Sequence, residues 1–143
     1  MIKGARLHKF KLLAVAALIA SLASSTFAFD EQAYLAKFLE THPAHLTAWN
    51  KMLAGGQAPA WLRRYLDLHG AESPATLINV AGASYHVFTT CKPHDCFTSF
   101  AVIFSPDGAV AWGAMADYGA EPQFYGAPDA SVAEALRRAL GAQ

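Results

Sequence analysis

Two cysteines, Cys91 and Cys96, enclose the tetrapeptide Lys92-Pro93-His94-Asp95, and they are the only cysteines in the chain. The segments on either side, Ser84 to Thr90 and Phe97 to Phe104, are rich in β-branched and aromatic residues and read as strands. A connection this short joins neighbouring antiparallel strands, so the hexapeptide constrains the fold to one built around a β-hairpin. It also places a histidine and an aspartate at the tip of a loop whose ends are able to be covalently joined.

Whether the cysteines pair depends on compartment. Lys3, Arg6, Lys9 and Lys11 form a positive n-region, Leu12 to Ala23 an apolar run, and Ser24-Ser25-Thr26-Phe27-Ala28 a small-residue cleavage stretch. Together they predict a secretory signal peptide over residues 1–28, cleaved after Ala28, followed by a single domain over 29–143. No later segment approaches the roughly 20 apolar residues of a membrane span, so no membrane association is expected after cleavage. Export to an oxidising space makes an even cysteine count read as a disulfide.

The leader carries four of the 11 basic residues and none of the 11 acidic ones, leaving seven against 11 and a mature net charge of −4. That balance excludes nucleic acid as a natural partner and favours a basic protein. At 54% hydrophobic and 15% charged residues the chain is folded, and about 115 mature residues suffice for one core.

Along the mature chain, Tyr34, Leu35, Phe38 and Leu39 recur at helical spacing behind an Asp30 cap, and His42-Pro43 ends the run. Pro43 opens a second helix with Leu46, Trp49 and Leu53 on one face, stopped by Gly55-Gly56. Pro59 to Leu68 is a third helical stretch, closed by Gly70. After Ser73-Pro74 the period changes. Thr76 to Val80 and Ser84 to Thr90 flank a turn near Ala81-Gly82-Ala83, and Phe97 to Phe104 and Ala109 to Ala116 flank Ser105-Pro106-Asp107-Gly108. Gly119 to Pro128 reads as irregular. Ser131-Val132-Ala133-Glu134 is a capping box opening a last helix through Leu140. Helices, consecutive strands and a final helix predict an α+β domain: a central antiparallel sheet flanked by short amphipathic helices, with a protruding disulfide-closed loop.

From the residues alone, His94 and Asp95 read first as solvated turn residues. A functional reading gives His94 two ring nitrogens, both donors when protonated, with Asp95 holding one N–H or supporting the charge. A redox pair is disfavoured by the four intervening residues, and a metal site of Cys91, His94 and Cys96 with His42 or His45 lacks an established ligand spacing. His42 and His45 read as surface or cap residues, and Trp49, Trp61 and Trp112 as core. A hydrolase using His94 and Asp95 lacks a nucleophile motif.

The hexapeptide Cys91-Lys92-Pro93-His94-Asp95-Cys96, preceded by Pro59-Ala60-Trp61 and followed by the apolar strand Ala101 to Phe104, resembles the Ivy family of periplasmic inhibitors of vertebrate (C-type) lysozyme in Gram-negative bacteria. The resemblance covers Ala58 to Asp117. It implies an inhibitor and not an enzyme, with no cofactor or metal. Its binding loop would be Cys91, Lys92, Pro93, His94, Asp95 and Cys96, entering the lysozyme cleft as a key with His94 on the catalytic carboxylates. The implied partner is a basic C-type lysozyme. An endogenous lytic transglycosylase is the alternative target, and monomer and homodimer both remain open. Phe97, directly after the loop, is bulkier than the small residue the resemblance leads one to expect.

Overall fold

All five residues of the run Phe100-Ala101-Val102-Ile103-Phe104 are buried. A strand buried on both faces needs a covering layer on each side, and that requirement sets the architecture. The computed structural model describes residues 33–141 apart from 56 and 69; the leader, its cleavage site and the expected Asp30 cap lie outside the described residues. Four helices come first, α1 (Leu35–Thr41), α2 (Pro43–Ala54), α3 (Ala60–Arg63) and α4 (Tyr65–Leu68). Five strands follow, β1 (Glu72–Val80), β2 (Ala83–Lys92), β3 (Asp95–Phe104), β4 (Ala111–Asp117) and β5 (Gln123–Tyr125), then α5 (Ala130–Gly141). The strands form one antiparallel sheet in the order β1-β2-β3-β4-β5, with the apolar run in the central strand.

Alternation divides the side chains between two cores. Phe88, Phe100, Val102, Phe104 and Tyr125 face α1 to α4, where Leu35, Leu39, Trp49, Leu53 and Leu62 meet them. Val87, Ala101, Ile103 and Ala114 face α5 through Val132, Ala135 and Leu136. The α+β expectation therefore holds, with the two helical layers of unequal size. Of the three tryptophans, Trp49 is fully buried, while Trp61 and Trp112 pack half-buried against the two cores.

Several boundaries differ from the sequence-based expectation. β1 starts at Glu72 and runs through Pro74; proline is tolerated because β1 is an edge strand and its register with β2 shifts between Ser73 and Thr76. The third helical stretch is interrupted at Arg64 (φ −108°, ψ 27°), between the buried Leu62 and Tyr65. The segment expected to be irregular contains β5, which sends Tyr125 into one core and Phe124 toward α5. α5 is capped by Asp129, whose carboxylate accepts from the Val132 N–H at 2.9 Å, and not by Ser131. At α1, Tyr34 supplies no side-chain cap; the Ala36 N–H instead donates to Glu72 Oε1 at 3.0 Å, and the Tyr65 hydroxyl donates to the same oxygen. One carboxylate thus joins the edge strand to both ends of the helical layer, where the N-terminal partial charge of α1 favours an anion.

The hairpin turns have the expected chemistry. Ala81 and Gly82 both take positive φ (51° and 85°), as a two-residue type I′ turn requires, and the Gly82 N–H donates to Asn79 Oδ1. In the β3–β4 turn the Gly108 N–H donates to the Ser105 carbonyl at 2.8 Å. Gly108 has φ 70°, and a Cβ there would stand 2.5 Å from the His45 ring, so the turn packs directly on α2. His42 sits at the N-cap position of α2, as expected of a cap residue. His45 is not a plain surface residue: its ring lies edge-on to Phe38 and Phe104, with centroids 4.7 and 5.2 Å away.

Burial, and then the neighbouring His42, hold the pKa of His45 below its ordinary value, with Asp107 pulling weakly the other way. Between the unfolded value of about 6.5 and the lowered folded value, the unfolded chain binds a proton that the folded one does not. Stability therefore falls as pH drops through that window. Urea midpoints measured from about pH 7.5 down to about pH 5.5 should decline more steeply for the wild type than for His45→Gln. Parallel declines would assign the acid sensitivity elsewhere.

Candidate functional site

The β2–β3 connection is tighter than a six-residue loop. Pairing continues past both cysteines, from Thr90↔Phe100 and Cys91↔Ser99 to Lys92↔Asp95, so the reversal itself is only Pro93-His94. Pro93 presets its own φ at the second turn position, and His94 takes φ 64° at the third. Positive φ at that position is the type II pattern, which ordinarily selects glycine. Between the last two pairs, Cys96, Phe97 and Thr98 have no partner on β2, which makes a bulge of β3 directly below the tip. Thr98 is nevertheless paired with Asp117 on the other side. The expected Cys91–Cys96 disulfide is present, with the two Cα atoms 4.7 Å apart, inside the usual range for such a bond.

The base of this hairpin is clamped from the chain entering β1. Ala71 O accepts from the Cys91 N–H and from the Thr90 hydroxyl, both at 3.0 Å. Gly70 lies so close that a Cβ there would stand 1.9 Å from the Cys91 carbonyl oxygen. Only glycine permits this approach of two backbones.

At the tip the polar groups divide unequally. Lys92 Nζ pairs with Asp95 Oδ2 at 3.1 Å across the turn. The Thr98 hydroxyl lies 2.7 Å from Asp117 Oδ1 and 3.4 Å from Asp95 Oδ2, so its single proton goes mainly to Asp117. The expectation that Asp95 would support His94 does not match the free protein: its carboxylate is paired with Lys92 and makes no bond to His94. His94 is exposed, and its imidazole makes no hydrogen bond or ion pair with the described residues. Both ring nitrogens stay open to a partner.

The alternative readings lose their geometry. Cys91 and Cys96 bond to each other, and His42 and His45 belong to the aromatic cluster around Phe38, so they do not join His94. No group of three or more His, Cys, Asp or Glu able to hold a metal occurs among the described residues. A cleft of about 620 Å³ does open between α1, α2 and the β3–β4 turn, lined by Phe38, His42, His45, Tyr85, His86 and Phe104. It lies at the opposite end of the sheet from the tip, because the β2–β3 and β3–β4 turns of a meander sit at opposite ends. Sequence reasoning missed Tyr118, which stacks on Phe97 beside the tip with ring centroids 5.3 Å apart. Its one sequence signal was the glycine that follows it.

These features define a small α+β domain that presents a rigid polar tip on the end of a buried central hairpin. The chain belongs to the inhibitor of vertebrate lysozyme (Ivy) family, whose model matches residues 44–143. It is 30% identical over 145 aligned residues to a protein of Pseudomonas aeruginosa named inhibitor of vertebrate lysozyme, covering 91% of this chain and 92% of that relative. A protein of the same name from Escherichia coli is 37% identical over 78 residues, 54% of this chain and 47% of the relative. An uncharacterized protein of Yersinia pestis is 34% identical over 83 residues, about half the length of each.

A six-residue ring removes little freedom from the unfolded chain, and its loop-entropy contribution is about 2 kcal/mol. Replacing both cysteines by serine should therefore leave the circular dichroism spectrum unchanged, lower the unfolding free energy by about that amount, and accelerate amide exchange at residues 94–97. Loss of the whole cooperative transition would make the bond a condition of folding.

Proposed function

We propose that this protein is a periplasmic inhibitor of C-type lysozyme that inserts the Cys91–Cys96 hairpin into the enzyme's cleft with His94 foremost. The observation that carries the reading is the conformation of His94. A non-glycine residue at φ 64° costs about 1–2 kcal/mol locally, and this one is exposed and makes no bond that would offset that cost. Positive φ also occurs at Ala81, where the two-residue hairpin turn requires it; at His94 it coincides with a disulfide-closed ring and an unengaged imidazole, and that combination supports a functional role. Family membership and the relatives' names support lysozyme as the target. The leader read from residues 1–28 supports export, as does the disulfide.

The chemistry follows from the target's requirements. A retaining glycosidase holds two carboxyl groups about 5 Å apart, one protonated and one ionised. An imidazole with both nitrogens free reaches between them and hydrogen-bonds to each, and such charge-assisted bonds are the strong ones. The ring then occupies the place of the sugar. The disulfide, Pro93 and the Lys92–Asp95 pair hold the tip in its bound shape beforehand, so little ordering remains to oppose binding.

Titration of the mature protein into C-type, G-type and phage-type lysozymes, read by peptidoglycan clearing, tests the proposal; no inhibition of any C-type enzyme would refute it. His94→Ala should cost about 2 kcal/mol or more of binding, some thirtyfold in the inhibition constant. His94→Gly should lose inhibition equally while keeping or raising the unfolding temperature, since glycine adopts the positive φ without strain. Inhibition retained by both variants would remove His94 from the mechanism.

With a mature net charge of −4 against a basic enzyme, association should slow as salt rises past about 0.1 M, where the Debye length is about 10 Å. Dissociation should change less, because contacts within the cleft are shielded. Stopped-flow binding at several ionic strengths separates the two rates, and an association rate indifferent to salt would exclude steering.

A further inference from the structure

Thr90 and Thr98 are the two polar side chains buried among the described residues, at 2% and 5% exposure, and both stand on the tip hairpin. A buried hydroxyl is costly unless it is bonded, whereas valine has the same branched shape on a strand and carries no such cost. Thr90 donates to the Ala71 carbonyl, within the clamp at the hairpin's base. Thr98 answers to a side chain instead: its hydroxyl lies 2.7 Å from Asp117 Oδ1, with Asp95 Oδ2 farther off at 3.4 Å. A hydrogen bond onto a carboxylate is charge-assisted and stronger than a neutral one.

What that bond holds follows from the ladder. The β2 side of the disulfide is fixed, since Cys91 pairs with Ser99 and its N–H donates to Ala71 O. On the β3 side, Cys96, Phe97 and Thr98 have no partner on β2, and a bulge of this kind bends its strand. The bulged residues are gripped from β4, by the Thr98↔Asp117 pair, by the Tyr118 N–H on the Phe97 carbonyl at 2.9 Å, and by the Thr98 hydroxyl. Asp117 is itself anchored. Tyr118 and Gly119 take φ 50° and 74°, and the Ala120 N–H closes the turn on the Asp117 carbonyl at 2.9 Å. Two consecutive positive φ values make a tight type I′ reversal. The carboxylate that meets Thr98 is thus mounted on a rigid turn at the same end of the sheet as the tip.

We propose that Thr98 is a positioning residue for the tip: its hydroxyl, bonded to Asp117 at the exit of β4, sets the direction in which the bulged hairpin presents His94. The role rests on the reading that the tip enters the lysozyme cleft. It adds to that reading a residue outside the hexapeptide, which touches no partner and acts through the histidine. The disulfide and Pro93 fix the shape of the tip, and Thr98 fixes its aim relative to the sheet.

The test compares the mature protein with Thr98→Val, Thr98→Ser, Asp117→Ala and His94→Ala, by inhibition of a C-type lysozyme at high salt, where the charge lost with Asp117 is screened. Thr98→Val should weaken inhibition about tenfold, the size of one hydrogen bond to a charged group. Its unfolding temperature should not fall, because Asp117 is exposed and water takes the place of the hydroxyl. Thr98→Ser, which keeps the hydroxyl, should restore most of the inhibition. Asp117→Ala should reproduce the loss, and joining it to Thr98→Val should add nothing. In the His94→Ala background Thr98→Val should cost far less than it does alone, a dependence that a role in stability only would not produce. Should Thr98→Val unfold at a lower temperature, Asp117→Ala carries the test, since it alters a surface position. Wild-type inhibition by Thr98→Val or by Asp117→Ala, beside a loss in His94→Ala, would overturn the positioning role and leave the tip reading standing. An equal cost of Thr98→Val with and without His94 would overturn it as well. Inhibition unchanged in His94→Ala would remove the tip reading and the positioning role with it.

Discussion

Burial of Phe100 to Phe104 on both faces of the central strand is the constraint on which the rest depends. Because the side-chain period of a strand is two, any slip of β3 would exchange the residues that fit the four-helix side for those that fit α5. Phe100, Val102 and Phe104 are larger as a set than Ala101 and Ile103, and the two helical layers differ accordingly. Register is therefore fixed from both sides. With it is fixed the end of the hairpin, where the last paired residues hold a turn of two.

The tip is organised by a division of tasks among adjacent residues. Cys91 and Cys96 close the ring, Pro93 sets the reversal, and Lys92 and Asp95 neutralise one another across it. Every polar neighbour is occupied except the histidine, which sits where local energetics would have placed glycine. Such a site combines low freedom with unmet bonding capacity, and those are the two properties that favour tight association.

Much of this was legible because it is local. Turn chemistry at Ala81-Gly82 and Ser105 to Gly108 is written in adjacent residues, as is the cysteine spacing, and apolar periodicity located α1, α2 and the inner strands. What escaped was set by tertiary partners. β5 is three residues long, too short for alternation to register, and exists because β4 offers it an edge. Pro74 argued against a strand that only its edge position allows. The capping of α1 by Glu72 spans 36 positions of sequence, beyond any local signal. At the site, the hexapeptide was plain, whereas the Lys92–Asp95 pairing competed with an equally simple His94–Asp95 arrangement, and Tyr118 reaches Phe97 only through the β3–β4 pairing.

The bulge at Cys96, Phe97 and Thr98 has a bearing on how such a chain varies over descent. β2 does not pair with these residues in the ladder, but the disulfide ties Cys96 to it, and on the other side Thr98 pairs with Asp117 while the Phe97 carbonyl accepts from the Tyr118 N–H. The ladder with β2 resumes at Cys91↔Ser99, so the facing of Ser99 and of everything beyond it is set by pairs outside the bulge. The turn is thereby separated from the register of the core, so exchange of side chains at Pro93 and His94 over descent leaves the facing of the sheet beneath unaltered.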